Sequence, residues 1–325
     1  MLRKNSIILY DILFIIMIHM TNGQTVKNLT AITWSHATNS QKLLNEVLSS
    51  DINFIEADIV FGYLKNDESK TQQPIMAHPP DVESDLTLES FLTQIWDFNK
   101  NTTKEKQKGI KIDFKSTDVF TNSISILNKM WNTDYEIWLN ADIFSGPSNN
   151  TSTIPVDPDV FLTESNKFPN VTLSTGWTTR WGINYTEGIY THEQVKVMID
   201  GIKKHQKNNA ITFPVRAGIA AQSIETLNHL YQSLNATNLV TFTIWSSEND
   251  NVNVENLRKM IFHFGLDKVY VDVPANLSSQ LRYTNDSSRI HTKQSFVKNI
   301  MLNKKKNGKS CKVFFSQQKP FIAQI

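Results

Sequence analysis

Two imidazoles, three carboxylates and an ammonium recur in four short segments of this chain: Trp34-Ser35-His36, Glu56-Ala57-Asp58, His78-Pro79-Pro80 and Asp113-Phe114-Lys115. Side chains alternate across a strand, so Glu56 and Asp58 project one way, as do Asp113 and Lys115. The carboxylates of Glu56, Asp58 and Asp113 suit a hard divalent cation, Mg2+ or Ca2+, which prefers oxygen ligands and keeps waters that a phosphate can replace. His36 and His78 can divide proton transfer between them, because an imidazole of pKa ~6.5 is available in both forms near neutrality. Lys115 and Arg216 would offset phosphate charge, the guanidinium bidentately and the ammonium as a point charge. These parts together describe metal-assisted phosphodiester chemistry. Each also has a plainer reading, a hydrogen-bonded strand-end histidine or an Asp113–Lys115 ion pair; it is their joint occurrence that points to one site.

Other chemistries find less support. No His/Cys cluster at zinc-ligand spacing is present, nor a phosphate-cradling glycine loop, a Gly-x-Ser-x-Gly elbow or a dinucleotide fingerprint. A sugar-acting barrel would need a carboxylate pair roughly 5–9.5 Å apart and would leave both histidines unexplained.

The elements that must position these groups follow one alternation from about residue 30 to 275, an apolar β-branched run and then a segment of helical period. Strands are expected at Ala31–His36, Phe54–Phe61, Pro74–His78, Gly109–Lys115, Glu136–Asp142, Val171–Gly176, Ile211–Arg216, Leu239–Trp245 and Lys268–Asp272. Helices are expected at Ser40–Leu48, Leu86–Asn99, Thr117–Trp131, Asp157–Lys167, Thr191–Gln206, Ser223–Leu234 and Val254–Phe264. The pattern is that of a single-domain (β/α)8 TIM-type barrel, whose strands end at one mouth. It offers one strand too many, and Ile211–Arg216 or Lys268–Asp272 is the candidate to lie outside the ring. His36, Glu56, Asp58, His78, Asp113, Asp142, Arg216 and Trp245 all fall at or near C-terminal strand ends. Trp177 and Trp245 are the aromatic residues expected to wall the mouth, and the Ser145–Val156 stretch the loop expected to border it.

Outside the barrel segment, residues 1–23 combine Arg3 and Lys4, an apolar run from Ile7 to Met20 and Thr21-Asn22-Gly23, the layout of a cleaved secretory signal. The run is short for a bilayer span of ~20 residues, so no transmembrane anchor is expected. Sequons at Asn28, Asn101, Asn149, Asn150, Asn170, Asn184, Asn235, Asn276 and Asn285 agree with a secreted, extracellular glycoprotein. Cys311 is the only cysteine, which excludes an intramolecular disulfide and leaves stability to the core. The formal charge of +2 hides a division: residues 281–325 hold Arg282, Arg289, Lys293, Lys298, Lys304, Lys305, Lys306, Lys309, Lys312 and Lys319 against Asp286 alone. That segment is expected to be a flexible basic tail, and the barrel, residues 24–280, is acidic. No nucleic-acid partner is expected.

The stretches TWSHATNS, FIEADIVFG, PIMAHPP, GIKIDFKS, IWLNADIFSGP, LSTGWTT, TFPVRAG, TIWSSEND and VYVDVP, in that order from Ala31 to Pro274, resemble the menorin family. Its members share a phospholipase-C-like phosphodiesterase barrel. More distantly, His36, Glu56-x-Asp58 and His78 resemble glycerophosphodiester phosphodiesterases and spider-venom phospholipases D. That resemblance implies His36 and His78 as acid and base, Glu56, Asp58 and Asp113 as metal ligands, and Lys115 near the phosphate of a small molecule or lipid. The sequence departs from that pattern in reading Ser-His-Ala where His-Arg-Gly is usual, and in following His78 with Pro rather than Asp. The menorin resemblance implies a second role, an extracellular cofactor of cell-surface adhesion proteins and receptors in dendrite patterning, which needs a surface rather than a reaction.

Overall fold

Why the alternation closes into a ring is visible in the strand pairing of the computed structural model, which describes residues 27–147, 153–182, 186–205 and 208–282. The strands are β1 (Trp34–Ser35), β2 (Phe54–Leu64), β3 (Gln73–Met76), β4 (Glu83–Ser84), β5 (Gly109–Phe114), β6 (Ile137–Ser145), β7 (Thr172–Thr178), β8 (Ala210–Arg216), β9 (Val240–Trp245) and β10 (Val269–Asp272). Eight of them run parallel in the order β1-β2-β5-β6-β7-β8-β9-β10. The expected signal segment and most of the basic tail lie outside the described residues.

The surplus strand is neither of the two candidates. Ile211–Arg216 and Lys268–Asp272 fall on β8 and β10, both in the ring, and it is Pro74–His78 that lies outside it. β2 runs on past the rim, and β3 folds back antiparallel along that extension, pairing Met76 with Ile59 and Gln73 with Gly62. An antiparallel return needs only a short connection, whereas a parallel neighbour needs a crossover of a dozen or more residues. The gap between β2 and β3 is too short for the latter.

Helices α1 (Gln41–Leu48), α2 (Leu88–Lys100), α3 (Thr117–Met130), α4 (Pro158–Ser165), α5 (His192–Lys204), α6 (Ala217–Ala220), α7 (Ile224–Leu234), α8 (Val254–Phe264) and α9 (Ala275–Leu281) complete the described elements. Their starts follow from local chemistry. Ser40, Thr87, Ser116, Asp157 and Asn253 each accept a first-turn N–H, and Thr191 with Gln194 forms a capping box. Each such cap contributes about 1 kcal/mol. Every long helix turns one apolar stripe inward; on α2 that stripe is Leu88, Phe91, Leu92 and Ile95, all buried. Burial of such side chains stabilises by about 1.5–3 kcal/mol each.

The barrel interior is layered. At the N-terminal end Phe54, Trp138 and Tyr270 are buried with Leu29, and Trp34 packs against them, its ring 4.6 Å from that of Phe54. Above this floor the interior turns polar, where branched apolar residues would be usual. Ser174 donates to Asn140 at 2.5 Å, and the hydroxyls of Thr212 and Thr243 pair at 2.7 Å. Between β1 and β10 no strand ladder is formed among the described residues. Side chains and one flanking bond join that seam: Leu29 N–H to the Leu266 carbonyl at 2.8 Å, and His36 to Asp272 at 2.9 Å.

Candidate functional site

Strand register brings the acidic groups together. Asp58 pairs with Asp113 across β2 and β5, so two interior-facing carboxylates stand side by side at the mouth, and Glu56 lies one step deeper. One oxygen each from Glu56, Asp58 and Asp113 fall within 4.8 Å of one another. Like charges this close repel strongly in a buried setting, and the surrounding donors show how the fold holds them. The Ala37 N–H donates to Glu56 Oε2 at 2.7 Å, and the Asn140 amide to Asp113 Oδ1 at 2.6 Å. Asn39 grips Asp58 twice, donating to its Oδ2 at 2.8 Å and accepting its backbone N–H at 2.9 Å. The Lys115 ammonium sits between two of the acids, 2.6 Å from Asp58 Oδ1 and in contact with Asp113 Oδ2.

The ionisation of these groups follows from burial and neighbours. Burial pushes the Asp58 carboxyl up, but the Lys115 ammonium and the Asn39 amide more than offset this and hold it below the ordinary carboxylate range. Burial, and then the charge of Asp58, raise Glu56. Next to it, the Glu56 carboxylate, against the opposing effect of burial and with help from the Asp272 hydrogen bond, lifts His36 to about 9. His36 Nδ1 lies 2.9 Å from Asp272 Oδ2 and 3.5 Å from Glu56 Oε2, which leaves Nε2 for a ligand. Asp142, on β6, is pushed up to about 7, first by burial and then by the charge of Asp113. Its carboxylate has room only because Gly176 is its neighbour: a Cβ there would stand 2.4 Å from Asp142 Oδ1.

His78 stands apart from the barrel strands. It follows β3, whose return path continues with the Ala77 N–H donating to the Asp58 carbonyl at 3.0 Å, so His78 is brought back to the level of Asp58. Its ring is exposed and its Nδ1 lies 2.7 Å from the Pro79 carbonyl. A carbonyl only accepts, so Nδ1 carries the hydrogen and Nε2 keeps its lone pair in the neutral ring.

Two expectations need correction. Trp177 is buried toward the helices, its ring 5.0 Å from Tyr190 and its indole N–H donating to the Gln194 carbonyl at 3.4 Å. Its neighbour Gly176 faces the interior, and alternation sends Trp177 outward. Arg216 reaches the mouth but is committed: Nε and Nη2 each donate to Asp250 at 2.8 Å, and the guanidinium lies 4.8 Å from the Trp245 ring centroid. A phosphate would have to compete with that carboxylate. Trp245 itself stands at the end of β9, half-buried beneath Arg216.

Several site residues escaped the sequence reading. Asn39 lies in the loop after β1, Asn140 inside an apolar strand, and Asp272 on a strand thought dispensable. Lys111 is the most instructive. It lies two residues before Asp113 on β5, beside Glu56 in register, and is only 3% exposed. The same alternation that paired Asp113 with Lys115 places Lys111 on the interior face.

The comparisons with known proteins agree with this picture at the level of family. The model of the Menorin N-terminal domain matches residues 28–278. Human protein FAM151B is 38% identical over 257 residues, covering 78% of this chain and 87% of the relative. Among solved structures, the GH53 catalytic domain of Ignisphaera aggregans is 10% identical with a TM-score of 0.40, covering 78% of this chain and 86% of its own. The catalytic domain of a hyperthermophilic chitinase from Pyrococcus furiosus is 12% identical with a TM-score of 0.41, covering 77% and 85%. Likeness as low as that to the two glycoside-acting barrels bears on no residue's role. With a domain match across the whole described barrel and 38% identity to a relative over most of both chains, the chain belongs to the menorin family.

Proposed function

We propose that this protein is a secreted menorin whose barrel mouth binds a divalent cation, Mg2+ or Ca2+, and acts on a phosphodiester-containing small molecule or lipid. The observation that carries this reading is the convergence of Glu56, Asp58 and Asp113 within 4.8 Å, with His36 against Glu56. All-oxygen donors fit a hard cation better than zinc.

When bound, the cation supplies charge stabilisation to a phosphoryl oxygen. The chain's own residues do the rest. His36, charged and held by Asp272, presents Nε2–H as the acid toward the leaving oxygen. His78 presents the Nε2 lone pair and serves as base or nucleophile from the Asp58 side. Asn39 and Asn140 fix the two acids that face each other, and Trp245 walls the opposite side of the mouth.

A second reading is an extracellular cofactor that binds cell-surface adhesion proteins or receptors without turnover. The exposed position of His78, in the segment after the return strand and outside the ring, favours it, because an acid/base pair works best when both members are held rigidly.

The purified protein, assayed with a chromogenic phosphodiester and Mg2+ or Ca2+, should lose at least ~100-fold of its rate on His36→Ala. Glu56→Ala should do the same. An inactive wild type, with both variants still binding the partner, would overturn the enzymatic reading.

A further inference from the structure

Lys111 is a buried lysine whose ammonium the fold does not pair directly. The side chain is 3% exposed, yet among the described residues it makes neither a hydrogen bond nor an ion pair within 4.0 Å. The two other lysines in comparable settings differ. Lys108 is 2% exposed and gives its ammonium to the Ser50 and Ile52 carbonyls, each at 2.6 Å, and Lys115 is clasped by Asp58 and Asp113. The stem of Lys111 is buried while its ammonium is not among the side-chain atoms sealed from solvent, so the charge stands at the inner end of the mouth with no protein partner and is open to a ligand.

Position says which kind. Lys111 is beside Glu56 in register and two residues below Asp113 on the interior face. Its charge is felt by His36, Glu56 and Asp142, in keeping with that interior position. Beside it the interior is polar, with Asn140, Ser174, Thr212 and Thr243 already satisfied by one another or by Asp113. The acids around it are likewise engaged, Glu56 with Ala37 and His36, Asp113 with Asn140 and Lys115. With Lys115 and Arg216 given to carboxylates, Lys111 at the base and His36 Nε2 at the rim are the cationic groups left for an anion entering the mouth.

We propose that Lys111 binds an oxyanion of the ligand at the base of the mouth, making the site specific for a phosphoryl or similar tetrahedral oxyanion lodged between the cation site and this ammonium. The inference rests on the reading of the mouth as a cation-assisted phosphoryl site and names the residue that grips the ligand's charge. Arg216, given to Asp250, and Lys115, given to two aspartates, are the residues it displaces from that role.

The test is calorimetric titration of inorganic phosphate into the full-length protein, with and without Mg2+, beside a separate Mg2+ titration. Wild type should bind phosphate, Lys111→Met should weaken that binding at least ~10-fold, and Lys111→Arg should recover part of it. Mg2+ affinity should be kept or improved in Lys111→Met, since a nearby positive charge is removed. Phosphate binding that survives Lys111→Met, or its absence from wild type, overturns the proposal. If Mg2+ fails to bind while phosphate binding still depends on Lys111, the cation-site reading falls and the oxyanion site stands. Should Lys111→Met not fold, wild-type crystals soaked in tungstate decide: the oxyanion lies about 3 Å from the Lys111 ammonium, and an oxyanion bound elsewhere refutes the idea.

Discussion

The two sides of the barrel mouth hold similar charges and treat them differently. Over β8 and β9, Arg216 and Asp250 close a bidentate pair, both members well buried, and the guanidinium is stacked on Trp245. Over β2 and β5, three acids crowd within 4.8 Å, one ammonium bridges two of them, and a second ammonium below has no direct partner. One side is electrostatically complete without a ligand. The other keeps repulsion that a divalent cation and an anion would relieve. The contrast separates a structural ion pair from a binding site by what each leaves unsatisfied.

The largest test of that contrast is Asp250→Ala, which strands the Arg216 guanidinium. Breaking a buried pair from one side costs about 3 kcal/mol, read as a lowered urea midpoint. Asp113→Asn, on the other side, should cost far less or stabilise the metal-free protein, since it relieves repulsion. A next effect is cation binding: Mg2+ or Ca2+ at about 100 times its Kd should stabilise the wild type by roughly 2.7 kcal/mol. Thermal unfolding with and without chelator reads it, and Asp58→Asn should abolish the shift.

A smaller change is expected at Lys115, whose ammonium contacts Asp58 and Asp113, two of the residues that would hold a cation. Lys115→Met should tighten Mg2+ binding by about tenfold, or ~1.4 kcal/mol, in a direct titration; unchanged or weaker binding would place the cation elsewhere. His36 gives a pH signature in the metal-free protein. Its folded pKa, about 9, lies above the ordinary imidazole value of 6.5, so its stabilisation is complete below the latter and is lost as pH rises through the former. Denaturant melts across that window should flatten in His36→Gln. The smallest effect belongs to Ala37, held at φ 52°, where its N–H reaches Glu56. Ala37→Gly should relieve left-handed strain and leave stability unchanged or higher by about 0.5–1 kcal/mol.

The ring of alternating strands and helices was legible because amphipathic periods, N-caps and β-branched runs are local signals, and the acids at Glu56, Asp58 and Asp113 were legible because i, i+2 spacing fixes a face. What the sequence hid depends on long-range pairing. Nothing local to Pro74–His78 tells an antiparallel return from a ring strand; only the short link to β2 hints at it. Asp272 becomes a partner of His36 only when the last strand meets the first. Arg216 reads as a free cation until Asp250, thirty-four residues on, folds over it. Trp177 and Lys111 were within reach of the alternation rule: one faces away from the mouth because Gly176 faces in, and the other faces in because Asp113 does.

The seam between β1 and β10 carries a mechanical consequence. β1 pairs through only two residues, and on its other side the cylinder is held shut at the rim by the bond from His36 to Asp272. The same bond orients the proposed acid. Any breathing of the cylinder at this joint would also unlatch the imidazole, so amide exchange along the first strand should report on the readiness of the acid.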